Sequence, residues 1–137
     1  MYGLKMKNEY ILDLIDGNKN TDARLKSTSI RGKIGLIDTD TNILYAYCNL
    51  DNVIETTYEE YILWHVSKYY TYLDAKATID DLEFTKLREK AYFYSISNIE
   101  KLSIPPIVNP INENETWIQF NEDDFTIGYK KLSLFDL

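Results

Sequence analysis

Apolar and polar positions alternate over Tyr2–Met6, with Tyr2, Leu4 and Met6 on one side, and a short strand is expected there. Between Asn8 and Asp16 the spacing changes. Tyr10, Ile11, Leu14 and Ile15 fall on one helical face, and Gly17 follows where a left-handed C-cap is wanted. Gly17–Ile30 is polar and basic and reads mainly as loop. Lys33–Asp38 and Ile43–Leu50 are β-rich runs around the turn cluster Thr39-Asp40-Thr41-Asn42, which predicts a hairpin. Thr57-Tyr58-Glu59-Glu60 matches a capping box and opens a helix to about Tyr72, with Tyr58, Tyr61, Ile62, His65, Tyr69 and Tyr72 inward. A second helix is expected over Thr78–Lys90 and a strand over Tyr92–Ile99. Pro105, Pro106 and Pro110 mark a rigid, extended loop, and Thr116–Phe120 and Thr126–Leu134 supply the last strands. Strands around inserted helices, joined by hairpin-like links, make an α+β class with a curved antiparallel sheet the expectation.

Size sets the frame for this pattern. At 137 residues the chain has the length of one domain, 1–137, able to bury a core without staples. Cys48 is the one cysteine and His65 the one histidine, which removes internal disulfides and the usual Cys- and His-based metal sites. No apolar run approaches the roughly eighteen residues of a membrane span, and Lys5, Lys7 and Glu9 interrupt any N-terminal apolar region. A cytoplasmic protein without a cofactor or a membrane partner is the expectation.

Charge is unevenly distributed. The net charge of −7 argues against a general nucleic-acid binder, because phosphate is repelled by an acidic surface. Yet residues 1–50 sum to +1 and residues 51–137 to −8, while Gly17–Lys33 alone carries +4 through Lys19, Arg24, Lys26, Arg31 and Lys33 against Asp22. That is a focused field suited to an anionic ligand. The plain alternative is a solvated loop that balances the acidic remainder. Arg supplies a planar fork for phosphate and Lys a compact charge, so Lys19, Arg24, Arg31 and Lys33 are the ligand-binding candidates. Asp22 either accepts hydrogen bonds from a base or orients Arg24; a simple pair with Lys19 is the other option. Tyr94 and Trp117 are the candidates for stacking on a base, with core packing as the alternative.

The pattern Gly17, Lys19, Asp22, Arg24 and Gly32 resembles the Gly-x-Lys-x-x-[Glu/Asp]-x-Arg signature of the ASCH domain family. A short helix precedes it and Arg31-Gly32-Lys33-Ile34-Gly35-Leu36 starts a strand after it. The stretch Ala91–Asn98, then Pro105-Pro106 and Trp117-Ile118, is similar to the family's C-terminal half, so the resemblance spans roughly residues 4–120. It implies a PUA-like curved antiparallel β-barrel with peripheral helices and an RNA-linked role. Some members look like RNA binders and some like ribonucleases, and one branch hydrolyses N4-acetylated cytidine with a Lys, a Thr and a Glu. The Lys corresponds to Lys19. Asp22 stands at the Thr position, a departure from that branch, and Glu55 and Glu59 are the candidates for the Glu by position. The 56–90 helical insert also departs from the smallest members.

Three functions follow from these residues. The first is a module that binds RNA, a nucleotide or a nucleoside through the basic loop. The second is a hydrolase, a ribonuclease or nucleoside amidohydrolase, in which Lys19 and Asp22 are catalytic. The third is an interaction protein whose acidic half, with Asp80-Asp81, Glu113, Glu115 and Glu122-Asp123-Asp124, meets a basic protein partner. Cys48 with His65 as a nucleophilic dyad has no supporting motif.

Overall fold

The computed structural model describes residues 1–66 and 89–126. The chain runs β1 (Tyr2–Met6), α1 (Asn8–Ile15), β2 (Thr21–Arg24), β3 (Gly32–Asp38), β4 (Leu44–Thr57), α2 (Tyr58–Val66), β5 (Lys90–Lys101), β6 (Ile107–Glu113) and β7 (Trp117–Thr126). Among the described residues the strands form one sheet in the hydrogen-bonded order β2-β5-β4-β3-β1-β7-β6. The sheet is mixed: β1 and β3 pair in parallel, whereas β3–β4, β1–β7, β2–β5 and β6–β7 are antiparallel. The helix expected to about Tyr72, beyond Val66, the helix expected over Thr78–Lys90, up to residue 88, and the strand expected over Thr126–Leu134, beyond Thr126, lie outside the described residues.

The chain groups into two compact units. Of the described residues, unit 1 holds Met1–Asn20, Arg31–Leu50 and residues 96–126. Within it, β3 is buried at five successive positions, Ile34 to Asp38, a pattern that needs cover on both faces. Helix α1 packs on β3 through an amphipathic face that buries Ile11 and Leu14. A cluster of Ile37, Leu44, Val108, Ile118 and Phe120 forms a core. The curved sheet of this unit returns to its own first hairpin, since Leu44 N donates to Pro106 O (2.8 Å) and Val108 N to Asn42 O (2.9 Å).

Two glycines make that core possible. Gly3 and Gly35 are register partners on β1 and β3. A Cβ on Gly35 would lie 2.6 Å from Leu44 Cδ1 and 3.4 Å from Phe120 Cζ. One on Gly3 would lie 2.1 Å from Ile37 Cδ1 and 3.2 Å from Phe120 Cε1. The missing side chains are the space that the Phe120 ring and its neighbours fill.

The hairpin expected between Lys33 and Leu50 is present, and β4 runs on to Thr57. Its turn is closed by Asp38, which is buried. The carboxylate of Asp38 accepts from Asp40 N (3.2 Å) and Thr41 Oγ1 (2.8 Å), and Asn42 takes a left-handed φ of 60°. The proline segment corrects an expectation. Pro110 lies within a strand, β6, because that strand is at the sheet edge and its register with β7 shifts on both sides of Pro110, so no ladder donor is missed.

Of the described residues, unit 2 holds Thr21–Ile30, residues 51–66 and residues 89–95. Thr21–Arg24, expected as loop, is strand β2, paired residue for residue with Tyr92–Ser95 of β5. Polar local sequence is outweighed by a ready ladder partner. Helix α2 starts where the capping box places it, with Thr57 Oγ1 accepting from Glu60 N (3.2 Å).

Candidate functional site

The signature residues are built from two glycine turns. Gly17 has φ +77° and Gly32 φ +89°, and these are the two left-handed glycines of the described chain. Asn18 N donates to Asp13 O (3.0 Å) and Gly17 N to Leu14 O (3.2 Å), the paired bonds of a Schellman motif with Gly17 at C′. Lys19 N adds a bond to Asp13 O (3.3 Å), so the end of α1 anchors the backbone that carries the Lys19 side chain, which is half-buried. Gly17→Ala forces a Cβ into the left-handed region and is expected to cost about 1–2 kcal/mol, measurable as a lower denaturant midpoint. Gly32 turns the chain into β3, leaving Arg31 and Lys33 exposed. These residues belong to unit 1.

Asp22 and Arg24 belong to unit 2. Two apart on β2, they point to the same face. Asp22 is 3% exposed, and its Oδ2 accepts from Arg24 Nε at 2.5 Å. Of the pairings expected for Asp22, the one with Arg24 is present. The loop behind them is fixed by Tyr94, the register partner of Asp22, whose hydroxyl donates to Lys26 O (2.5 Å). Trp64 Nε1 donates to Thr21 Oγ1 (3.0 Å), tying α2 to β2. That link is invisible in the sequence, where Trp64 is one aromatic among many on the helix.

The two stacking candidates are core residues. Tyr94 is fully buried and Trp117 is 9% exposed, against Tyr2 in an edge-to-face contact at 6.2 Å. Burial leaves no open ring face for a base on Tyr94. Cys48 is buried on β4. His65 lies edge-on to Tyr61 and Trp64 on α2. Glu55 pairs with Lys90 at 3.1 Å on the surface, and this carboxylate raises the Lys90 pKa. Glu59 is exposed in the first turn of α2. Of the acidic residues, Glu113 pairs with Lys5 (3.3 Å), and Glu115 and Glu122–Asp124 are exposed; Asp80 and Asp81 lie outside the described residues.

A cavity of about 390 Å³ in unit 1 was not expected from the sequence. It is lined by Lys33 on β3, Tyr47, Cys48 and Asn49 on β4, and Asn98, Ile99 and Glu100 on β5. Lys33 Nζ sits 4.4 Å over the centre of the Tyr47 ring. Burial, with a contribution from the charge of Glu122, pushes the Tyr47 hydroxyl pKa up. Asn98 has a left-handed φ of 50°, a conformation Asn tolerates better than most residues.

No family model matches the sequence, and no curated protein matches it either. Solved structures do. A crystal structure of ASCH from Zymomonas mobilis aligns over 97% of this chain and 94% of its own, at 11% identity and a TM-score of 0.54. Two single-site mutants of the ZmASCH protein align over the same 97%, at 11% and 12% identity, with TM-scores of 0.56 and 0.52. Among the described residues no helix is long and apolar enough to cross a membrane.

Proposed function

From a chain that carries the fold of ASCH domains, a PUA-like curved sheet with helices, we propose an RNA-binding module that works through Gly17–Lys33. Arg24 is the anchor. The buried carboxylate of Asp22 holds its guanidinium in one orientation, so little side-chain entropy is lost when the fork meets a phosphate. That ion pair is the observation that carries the reading. Lys19, Arg31 and Lys33, all within nine residues of Arg24 in sequence, add compact or planar charges. An acidic chain with one short basic segment suits a few phosphates of a single strand better than the long, evenly charged track of duplex DNA.

The engagement of Asp22 with Arg24 favours a holding role for this carboxylate over a catalytic one. Support for RNA comes from the fold likeness and the signature residues together, since neither a general basic surface nor an open aromatic platform is present on the signature segment.

The test is a fluorescence-anisotropy comparison of a labelled single-stranded RNA with a duplex DNA of the same length. The expected result is tighter binding of the RNA. Arg24→Lys, which keeps the charge and loses the fork, should weaken RNA binding about tenfold. Equal affinity for both nucleic acids, or Arg24→Lys binding RNA as the wild type does, would sink the proposal.

A further inference from the structure

The cavity shares Lys33 with the Gly17–Lys33 segment, but its other lining residues bring a different chemistry. Its rim carries one cation, Lys33, and one carboxylate, Glu100, and a second carboxylate, Glu122, acts on the Tyr47 hydroxyl. An anion gains nothing there on balance. The remaining polar groups are two amides, Asn49 and Asn98. Tyr47 packs against the core cluster that contains Ile37, Leu44 and Phe120, and the Lys33 ammonium covers its ring. The register explains the convergence. Lys33 pairs with Asn49 and Gly35 with Tyr47, so all three side chains rise on the Gly35 face of the hairpin, at the end of the core that Phe120 fills. A cavity of about 390 Å³ falls in the range of small-molecule sites.

We propose that this cavity is a pocket for one unpaired, amino-bearing nucleobase, adenine fitting best. Asn side chains pair bidentately with the N6/N7 edge of adenine. The Glu100 carboxylate accepts from the exocyclic amine, an interaction that a base with a carbonyl at that position replaces with repulsion. The ring of Tyr47 is the stacking surface, and the incoming base displaces the Lys33 ammonium, whose exposed chain then turns towards a phosphate. The base comes from a free nucleoside or from an RNA strand; the second source rests on the function proposed above.

Adenosine and inosine, which differ at the exocyclic amine, separate these ideas when titrated into the full chain by ¹H–¹⁵N NMR. Adenosine is expected to shift the backbone amides of Tyr47, Asn49, Asn98 and Glu100, and to bind about tenfold more tightly than inosine. Glu100→Gln should erase that preference. Lys33→Ala should raise adenosine affinity, since it uncovers the ring, while weakening single-stranded RNA. No shifts at these amides, equal binding of the two nucleosides, or loss of adenosine binding in Lys33→Ala would each overturn the pocket. Adenosine shifts without RNA binding leave the pocket standing and remove the RNA reading. RNA binding without adenosine shifts does the reverse. An oligonucleotide that shifts the same amides identifies RNA as the source of the base.

Discussion

Phe120→Ala is expected to destabilise the protein by about 3–5 kcal/mol, read as a fall in the urea midpoint with the slope unchanged. The ring is 1% exposed and sits in the core cluster beside two strand positions that carry no side chain, Gly3 and Gly35. Gly3 and Gly35 carry no side chain that could move into the vacated space, so the cavity stays largely unfilled. The complementary change, Gly35→Val, places atoms 2.6 Å from Leu44 Cδ1 and close to the ring, and should cost about 1–3 kcal/mol by overpacking. The two sites touch, so they should couple. The double variant is expected to cost less than the sum of the singles, since the new side chain takes up part of the room the ring vacated. Strict additivity would mean that Phe120 and Gly35 do not share a packing site.

The pair on β2 should behave as a buried ion pair. Its side chains are 5% exposed at Asp22 and 20% at Arg24. Arg24→Ala leaves a carboxylate in the interior with its charged partner gone, and about 3 kcal/mol of stability should be lost. Asp22→Ala leaves a guanidinium and costs a similar amount. The double substitution to alanine removes both charges and should cost clearly less than the two singles together, because no buried charge is left behind. A thermal or chemical denaturation cycle measures this. If the singles cost under about 0.5 kcal/mol, the pair is a surface pair in its energetics and its orienting role fails.

Much of this fold was legible in the sequence for simple reasons. The period-two runs at Tyr2–Met6 and Lys33–Leu50 and the helical spacing before Gly17 became β1, the hairpin and α1. Both glycines of the signature are left-handed, a demand only the backbone makes and glycine answers best. What stayed hidden depended on distant partners. Thr21–Arg24 is polar and short, and becomes a strand only because β5 offers a ladder. Ile107–Glu113 carries a proline that reads as loop until its edge position is known. Tyr94 and Trp117 drew interest as rings on strands, yet strand residues point to either face, and both are core residues. The Tyr47 pocket joins three strands through residues that share no motif, so no linear pattern announces it.

The claim that the Gly17–Lys33 segment holds RNA is tested most directly by the salt dependence of single-stranded RNA binding. Contacts from Lys19, Arg24, Arg31 and Lys33 to about four phosphates predict a slope of log K against log salt of about −3. A slope near zero, or no binding at low salt, would contradict it.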